Sequence, residues 1–141
     1  MDFRFIFVGK TKDDYVKKGI EKYKSFLKKY GKVEIVESKD DDKKILVNLR
    51  ENSYKIILDI KGKSFNSEEL AEKIENLKNA GYKKFDFLTG GAFGLSEEIL
   101  KKADLLWKLS DLTFNHQLVR LILLEQIYRA MSIINNEKYH H

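Results

Sequence analysis

The 141-residue chain reads as an α/β protein built on a largely parallel sheet with helices on both faces. Two observations carry that expectation. Short runs rich in aromatic and β-branched residues alternate five times with stretches of helical periodicity. The run Tyr54 to Ile60 is also nearly continuous in apolar residues, as a strand covered on both faces is. With 43% hydrophobic residues and no linker, repeat or low-complexity tract, one domain over residues 1–141 is the default.

Phe3 to Val8 is a short apolar run ended by Gly9, which predicts a buried first strand. From Asp13 onward Tyr15, Val16, Ile20, Tyr23, Phe26, Leu27 and Tyr30 recur at helical spacing, with Gly31 as the stop. Val33 to Val36 predicts a second strand, the polar run Ser38 to Lys44 a loop or helix start, and Asp42 to Asn52 a second helix. Tyr54 to Ile60 follows as a third strand closed by Gly62. Asn66 and Glu69 fit a capping box for a helix through Asn79 that stops at Gly81. Lys84 to Thr89 is a fourth strand running into the glycine-rich segment Gly90 to Gly94. Ser96 caps a short helix to Ala103, Leu105 to Leu109 is a fifth strand, and a long helix spans about Asn115 to Ile134. That last helix is apolar nearly all round, so it needs cover on more than one side. In a chain of this size a subunit interface is the expected second cover, and hence a homodimer.

Composition narrows the chemistry. The chain holds no cysteine, which removes disulfide scaffolds, thiolate metal sites and thiol nucleophiles, and fits a reducing cytoplasm. The apolar part of MDFRFIFVGK is too short for a signal sequence, and the run Leu121 to Leu124 is far below membrane-spanning length, so a soluble, untargeted protein is expected. Net charge is +5, which favours polyanionic partners. Between Lys10 and Lys32 nine lysines face three acids, either a solvated helix face or an RNA-facing one.

The segment LTGGAFGLS places three glycines between a strand and a helix, where ligands settle in open α/β sheets. A tight turn without any ligand explains it equally well, and it has neither dinucleotide-fingerprint spacing nor a P-loop lysine. Three segments follow strand ends, Leu58 to Gly62, Gly90 to Gly94 and Leu109 to Phe114. Adjacent parallel strands would bring them together into one pocket with apolar walls, suited to an adenine and a methionine chain.

Here a resemblance becomes specific. LDIKGK, FLTGGAFGLSEE and LSDLTFNHQLVRLILLEQIYRAMSIINNEKYHH, together with the opening FRFIFVGK, resemble the large-subunit ribosomal RNA methyltransferase H family over essentially the whole chain. That resemblance implies a SPOUT-type fold with a C-terminal trefoil knot. It implies S-adenosyl-L-methionine as cofactor, 23S rRNA on the assembled ribosome as partner, and methylation at N3 of a pseudouridine without a metal. It puts the cofactor contacts on Leu58, Gly90, Leu109, Ser110, Asp111, Leu112, Thr113 and Phe114. Two departures stand out: Asn115 replaces the usual proline before the motif histidine, and His141 follows the terminal Tyr-His where the family carries Arg or Lys.

Tyr139, His140 and His116 are the candidate catalytic residues, and Arg120, Arg129 and His141 the candidate RNA contacts. For His116 a capping or core role stands beside the functional one. For Arg120 and Arg129 a carboxylate partner such as Glu125 stands beside RNA phosphate or a cofactor carboxylate. Trp107 reads as core. Tyr139 and His140 lie past the last apolar helical residue, Ile134, so the tail is expected to add little to packing. The competing function on the same fold is a non-catalytic RNA-binding or ribosome-assembly factor.

Overall fold

The computed structural model describes residues 1–140. Five parallel strands form one sheet: β1 (Asp2–Val8), β2 (Lys32–Ser38), β3 (Tyr54–Ser64), β4 (Lys84–Thr89) and β5 (Leu105–Lys108). Their order is β2-β1-β4-β3-β5. Five α-helices connect or follow them: α1 (Asp14–Leu27), α2 (Asp42–Asn48), α3 (Ser67–Asn79), α4 (Glu97–Leu100) and α5 (His116–Ile134). No helix is long and apolar enough to cross a membrane among these residues.

The alternation of side chains along each strand builds two cores. Phe3, Phe5 and Phe7 of β1 point to one face with Phe85 and Phe87 of β4, where Val16, Ile20, Leu70, Ile74, Leu123, Leu124 and Ile127 cover them. Phe5 and Phe87 stack at 5.0 Å between ring centres. The intervening residues Ile6, Val8 and Leu88 point to the other face, beneath Ile45, Ile99 and Leu100. Helices α1, α3 and α5 therefore lie on one side, with α5 packed against both others, and α2 and α4 on the other.

Where elements depart from expectation, the cause is local. Helix α2 stops at Asn48 instead of Asn52 because the chain turns extended at Leu49. The backbone N–H and Nε of Arg50 then donate to the Asp86 carboxylate, each at 2.7 Å, and Ser53 Oγ donates to it at 2.8 Å. Strand β3 runs through Gly62 to Ser64 instead of ending there, with a register break against β5 between Leu58 and Lys63. A Cβ at position 62 would sit 2.5 Å from the Leu106 carbonyl carbon, so glycine is what lets the two backbones approach this closely. The short helix α4 ends at Leu100 and strand β5 at Lys108. On α1 the periodic apolar set is not all internal: Tyr15 is 59% and Phe26 39% exposed.

Asp86 is fully buried, and its only cation among the described residues is Arg50, which also reaches Asp2. Removing one partner of a buried pair leaves the other desolvated and uncompensated. Asp86→Ala should therefore cost about 3–5 kcal/mol of stability, read as a lower urea midpoint at unchanged slope. A loss under ~1 kcal/mol would show that water already screens this pair.

Candidate functional site

A cavity of about 420 Å³ opens at the carboxyl ends of β4 and β5, beside the register break at Leu58 to Ile60 of β3. Each wall has a local reason. Strand β4 delivers Thr89 and Gly90, after which the Gly94 N–H donates to the Gly91 carbonyl at 3.1 Å and closes a tight turn. Ser96 then caps α4 by accepting from the Ile99 N–H at 3.2 Å. After β5, Ser110 Oγ accepts from the Leu112 N–H at 3.0 Å, folding residues 109–114 over the cavity mouth. Asn115, in the place of the family's proline, caps α5 by accepting from the Gln117 N–H at 2.8 Å. The substitution supplies a helix cap that proline could not.

Leu58, Gly90 and all six residues from Leu109 to Phe114 line this cavity, and so does His116. Sequence reasoning did not single out Thr89, Leu95, Lys108 and Val119, which line it too. Trp107 is buried as expected but also forms part of the wall. A strand position that is core on one edge and ligand wall on the other leaves no separate mark in hydropathy.

The cavity has the properties an adenosyl-methionine group needs. Its volume is within the range of small-molecule sites, and Leu58, Leu95, Leu109, Leu112, Phe114 and Val119 offer apolar surface. Two lining residues carry buried polar atoms without a partner among the described residues, Thr89 Oγ1 and Trp107 Nε1. A Cβ on Gly90 would lie 3.0 Å from the Gly94 carbonyl carbon and 3.1 Å from Leu95 Cγ, so a side chain there would have to push the turn or Leu95 aside.

The other candidates lie elsewhere. Arg120 is fully buried: it donates to the Val8 carbonyl at 2.8 Å and to Thr11 Oγ1 at 2.9 Å, and its guanidinium lies 5.1 Å from the Phe7 ring centre. Its nearest carboxylate is Glu37 at 3.9 Å, not Glu125, and burial pulls its pKa below the ordinary value. A cation enclosed in this way cannot meet a phosphate at the surface, so the RNA-contact expectation for Arg120 is corrected. Gln117 beside it accepts from the Lys12 N–H at 2.7 Å and donates to the Lys10 carbonyl at 3.1 Å.

Arg129 is bound by Glu125, at 2.6 and 2.8 Å to one carboxylate oxygen. It also lies 4.9 Å from the Tyr139 ring centre and 3.0 Å from His140 Nδ1. The tail is thus docked, contrary to the expectation of a loosely packed terminus. Tyr139 packs edge-on against Tyr128 at 4.7 Å and its hydroxyl meets that of Tyr23 at 3.1 Å. Glu137 binds Lys29 and accepts from the Tyr30 hydroxyl at 2.8 Å. His140 Nε2 is 2.7 Å from Glu68. With Arg129 able only to donate, Nδ1 accepts and Nε2–H donates to Glu68, which fixes the tautomer. Neither Tyr139 nor His140 lines the cavity of its own chain. The expectation for His141 falls outside the described residues.

The docked tail carries a measurable contribution to stability. Tyr139→Phe removes only the hydroxyl contact and should cost about 0.5–1.5 kcal/mol. Tyr139→Ala also removes the ring from Tyr128 and Arg129, for a total of about 1–3 kcal/mol by thermal unfolding. Equal melting temperatures for both variants and the unaltered chain would mean that the tail is not docked in solution.

The family model described as Predicted SPOUT methyltransferase matches residues 1–140. A ribosomal RNA large subunit methyltransferase H from Clostridioides difficile is 43% identical, over 99% of each chain. Those from Natranaerobius thermophilus and Halothermothrix orenii are 42% and 40% identical, over 100% and 99% of each chain respectively. Among solved structures, a probable methylase family protein from Haemophilus influenzae superposes with a TM-score of 0.61 at 15% identity, covering 99% of this chain and 70% of that one. A structure concerned with 2-OH methylation of C/U34 on tRNA gives 0.54 at 11% identity, covering 94% and 92%. These two likenesses speak to the fold, and the sequence matches to the family: with its five-stranded parallel sheet and the cavity at the strand ends, the chain belongs to the SPOUT methyltransferases, among the relatives named large-subunit ribosomal RNA methyltransferase H.

Proposed function

We propose that this chain is an S-adenosyl-L-methionine-dependent methyltransferase acting on 23S rRNA at N3 of a pseudouridine, on the assembled ribosome in the cytoplasm. The observation that carries the reading is the cavity at the ends of β4 and β5 beside β3, lined by every residue the family resemblance assigns to the cofactor. When bound there, S-adenosyl-L-methionine supplies an electrophilic sulfonium methyl. Transfer of that methyl to N3 would leave the N3 proton for a base of the protein to take.

The protein's part is to fix geometry and receive that proton. Gly90 and the residues 109–114 bring backbone and apolar surface against the donor. His116, in the cavity wall at the start of α5, is the proton acceptor this chain itself provides. Tyr139 suits orientation rather than proton abstraction: burial, followed by the contact with Tyr23, pushes its hydroxyl well above the ordinary phenol range. His140, with both ring nitrogens engaged, likewise positions the tail.

We also propose a homodimer in which the tail of one chain completes the cavity of the other. Half-exposed Leu118, Ile122 and Ile133 on α5, with Tyr15 at 59% and Leu112 at 71% exposed, leave an apolar surface that water covers poorly. The threading of the C-terminal segment as a trefoil knot belongs to the same reading, supported by the close β3–β5 crossing at Gly62, and the main-chain path in an experimental density map decides it.

Gly90→Val should abolish S-adenosyl-L-methionine binding in calorimetry and methyl transfer to ribosomes lacking the modification, while circular dichroism stays that of the folded chain. A folded variant with unchanged affinity would remove the cavity from the cofactor reading. Wild-type protein that binds ribosomes but no cofactor would instead be a non-catalytic assembly factor. Light scattering should give twice the 16.6 kDa chain mass at micromolar concentration. A stable monomer overturns the shared site.

A further inference from the structure

The nine lysines from Lys10 to Lys32 have no role in the cavity. Only Lys29 is ion-paired among the described residues, to Glu137. Lys17 and Lys24 on α1 and Lys28, which follows its last residue in helical conformation, recur at i, i+7 and i+11, which puts them on one stripe about 16 Å long. Lys17 and Lys24 line a groove between α1 and the edge strand β2, together with Lys10, Thr11, Glu21 and Glu37. Glu37 is already engaged: it accepts from the Thr11 N–H at 2.6 Å and faces Arg120 at 3.9 Å. Glu21 is the one acid of the groove that no cation neutralises among the described residues. Three lysines against it leave the groove cationic.

The groove is fixed in place. Lys10 follows β1 at the same end of the sheet as the cavity. Gln117 holds the backbone of Lys10 and Lys12 from the first turn of α5, next to His116 in the cavity wall. Unpaired cations held at fixed spacing along a groove lose little freedom when they meet phosphates, and they release counterions in doing so.

We propose that Lys10, Lys17, Lys24 and Lys28 form a docking track for the phosphate backbone of the RNA substrate, running from the cavity end of the sheet along the outer face of α1. The track rests on the rRNA-methyltransferase reading and adds to it a surface for the substrate. Its contacts are to phosphate and carry no base specificity, so they contribute affinity and register while the base is selected in the cavity.

The test uses the full chain carrying Lys17→Gln, Lys24→Gln and Lys28→Gln together. The control carries Lys78→Gln, Lys83→Gln and Lys84→Gln at the amino end of the sheet, losing the same charge. Both are titrated onto ribosomes lacking the modification at several salt concentrations, with S-adenosyl-L-methionine affinity measured by calorimetry. The track variant should bind roughly tenfold or more weakly, with the slope of log K against log salt reduced by about one per lysine. Its KM for ribosomes should rise while cofactor affinity stays unchanged. The control should bind as the unaltered chain does. Equal loss in both variants would reduce the effect to net charge and overturn the track, as would no loss in either. If the unaltered chain binds cofactor but neither ribosomes nor their RNA, the substrate reading fails and takes the track with it.

Discussion

The carboxyl end of the sheet is organised around one buried cation. Arg120 has no exposed surface, and two of its donors are answered by a neutral carbonyl and a hydroxyl instead of a carboxylate. Its Nε has no partner among the described residues. Taking a guanidinium out of water on those terms costs several kcal/mol, partly offset by the Phe7 ring beneath it and by Glu37 at 3.9 Å. The arrangement persists because the same side chain ties the second turn of α5 to the end of β1, with Gln117 one turn earlier tying α5 to the following loop. Helix α5 therefore cannot slide along the sheet without stripping the bonds of a buried charge. Since His116 and Val119 on that helix are cavity wall, the shape of the cavity inherits this constraint.

The parallel sheet explains why the cavity is where it is. All five strands run the same way, and β3 lies between β4 and β5, so the segments that follow β4 and β5 converge beside the register break of β3. The β3 extension past Leu58 and its close passage over β5 at Gly62 crowd that corner and leave the segment 109–114 only the space above the cavity. Backbone and glycine thus make most of the site, with side chains adding the walls.

Much of this was legible in the sequence. Apolar runs locate all five strands: the central strands β1 and β4 are buried on both faces and hydropathy reports that directly, while the edge strand β2 sets half-buried Val33, Ile35 and Val36 among exposed Lys32, Glu34 and Glu37. The capping box at Asn66 and the cap at Ser96 mark helix starts because the chemistry is local. What escaped was set by distant partners. Helix α2 ends early because Arg50 and Ser53 are drawn to Asp86, more than thirty residues away. Gly62 is read as a stop, yet it is a contact point, since a glycine that ends a strand and one that admits another backbone are identical in sequence. Arg120 and Arg129 sit nine residues apart on one helix and were equivalent candidates. Only the packing makes one a buried tether and the other the partner of Glu125.

In the proposed homodimer, a tail already ordered in one chain would serve the site of the other. Fixing a free residue costs roughly 1–2 kcal/mol in backbone entropy, so a disordered tail recruited at assembly would weaken both dimerisation and catalysis. Here Glu137, Tyr139 and His140 are each already bonded to α1, α3 or α5 of their own chain. The ordering cost is met on folding, by contacts that need no partner subunit and no substrate. Along α5 the tail packs on Glu125 to Arg129, about nine residues or more beyond His116, which places it roughly 14–20 Å from its own cavity. A rigid tail at that distance cannot fold back onto its own cofactor site. If Tyr139 acts on the substrate base at all, it does so across a subunit boundary, where its fixed position becomes an advantage because nothing remains to be ordered in the reacting complex.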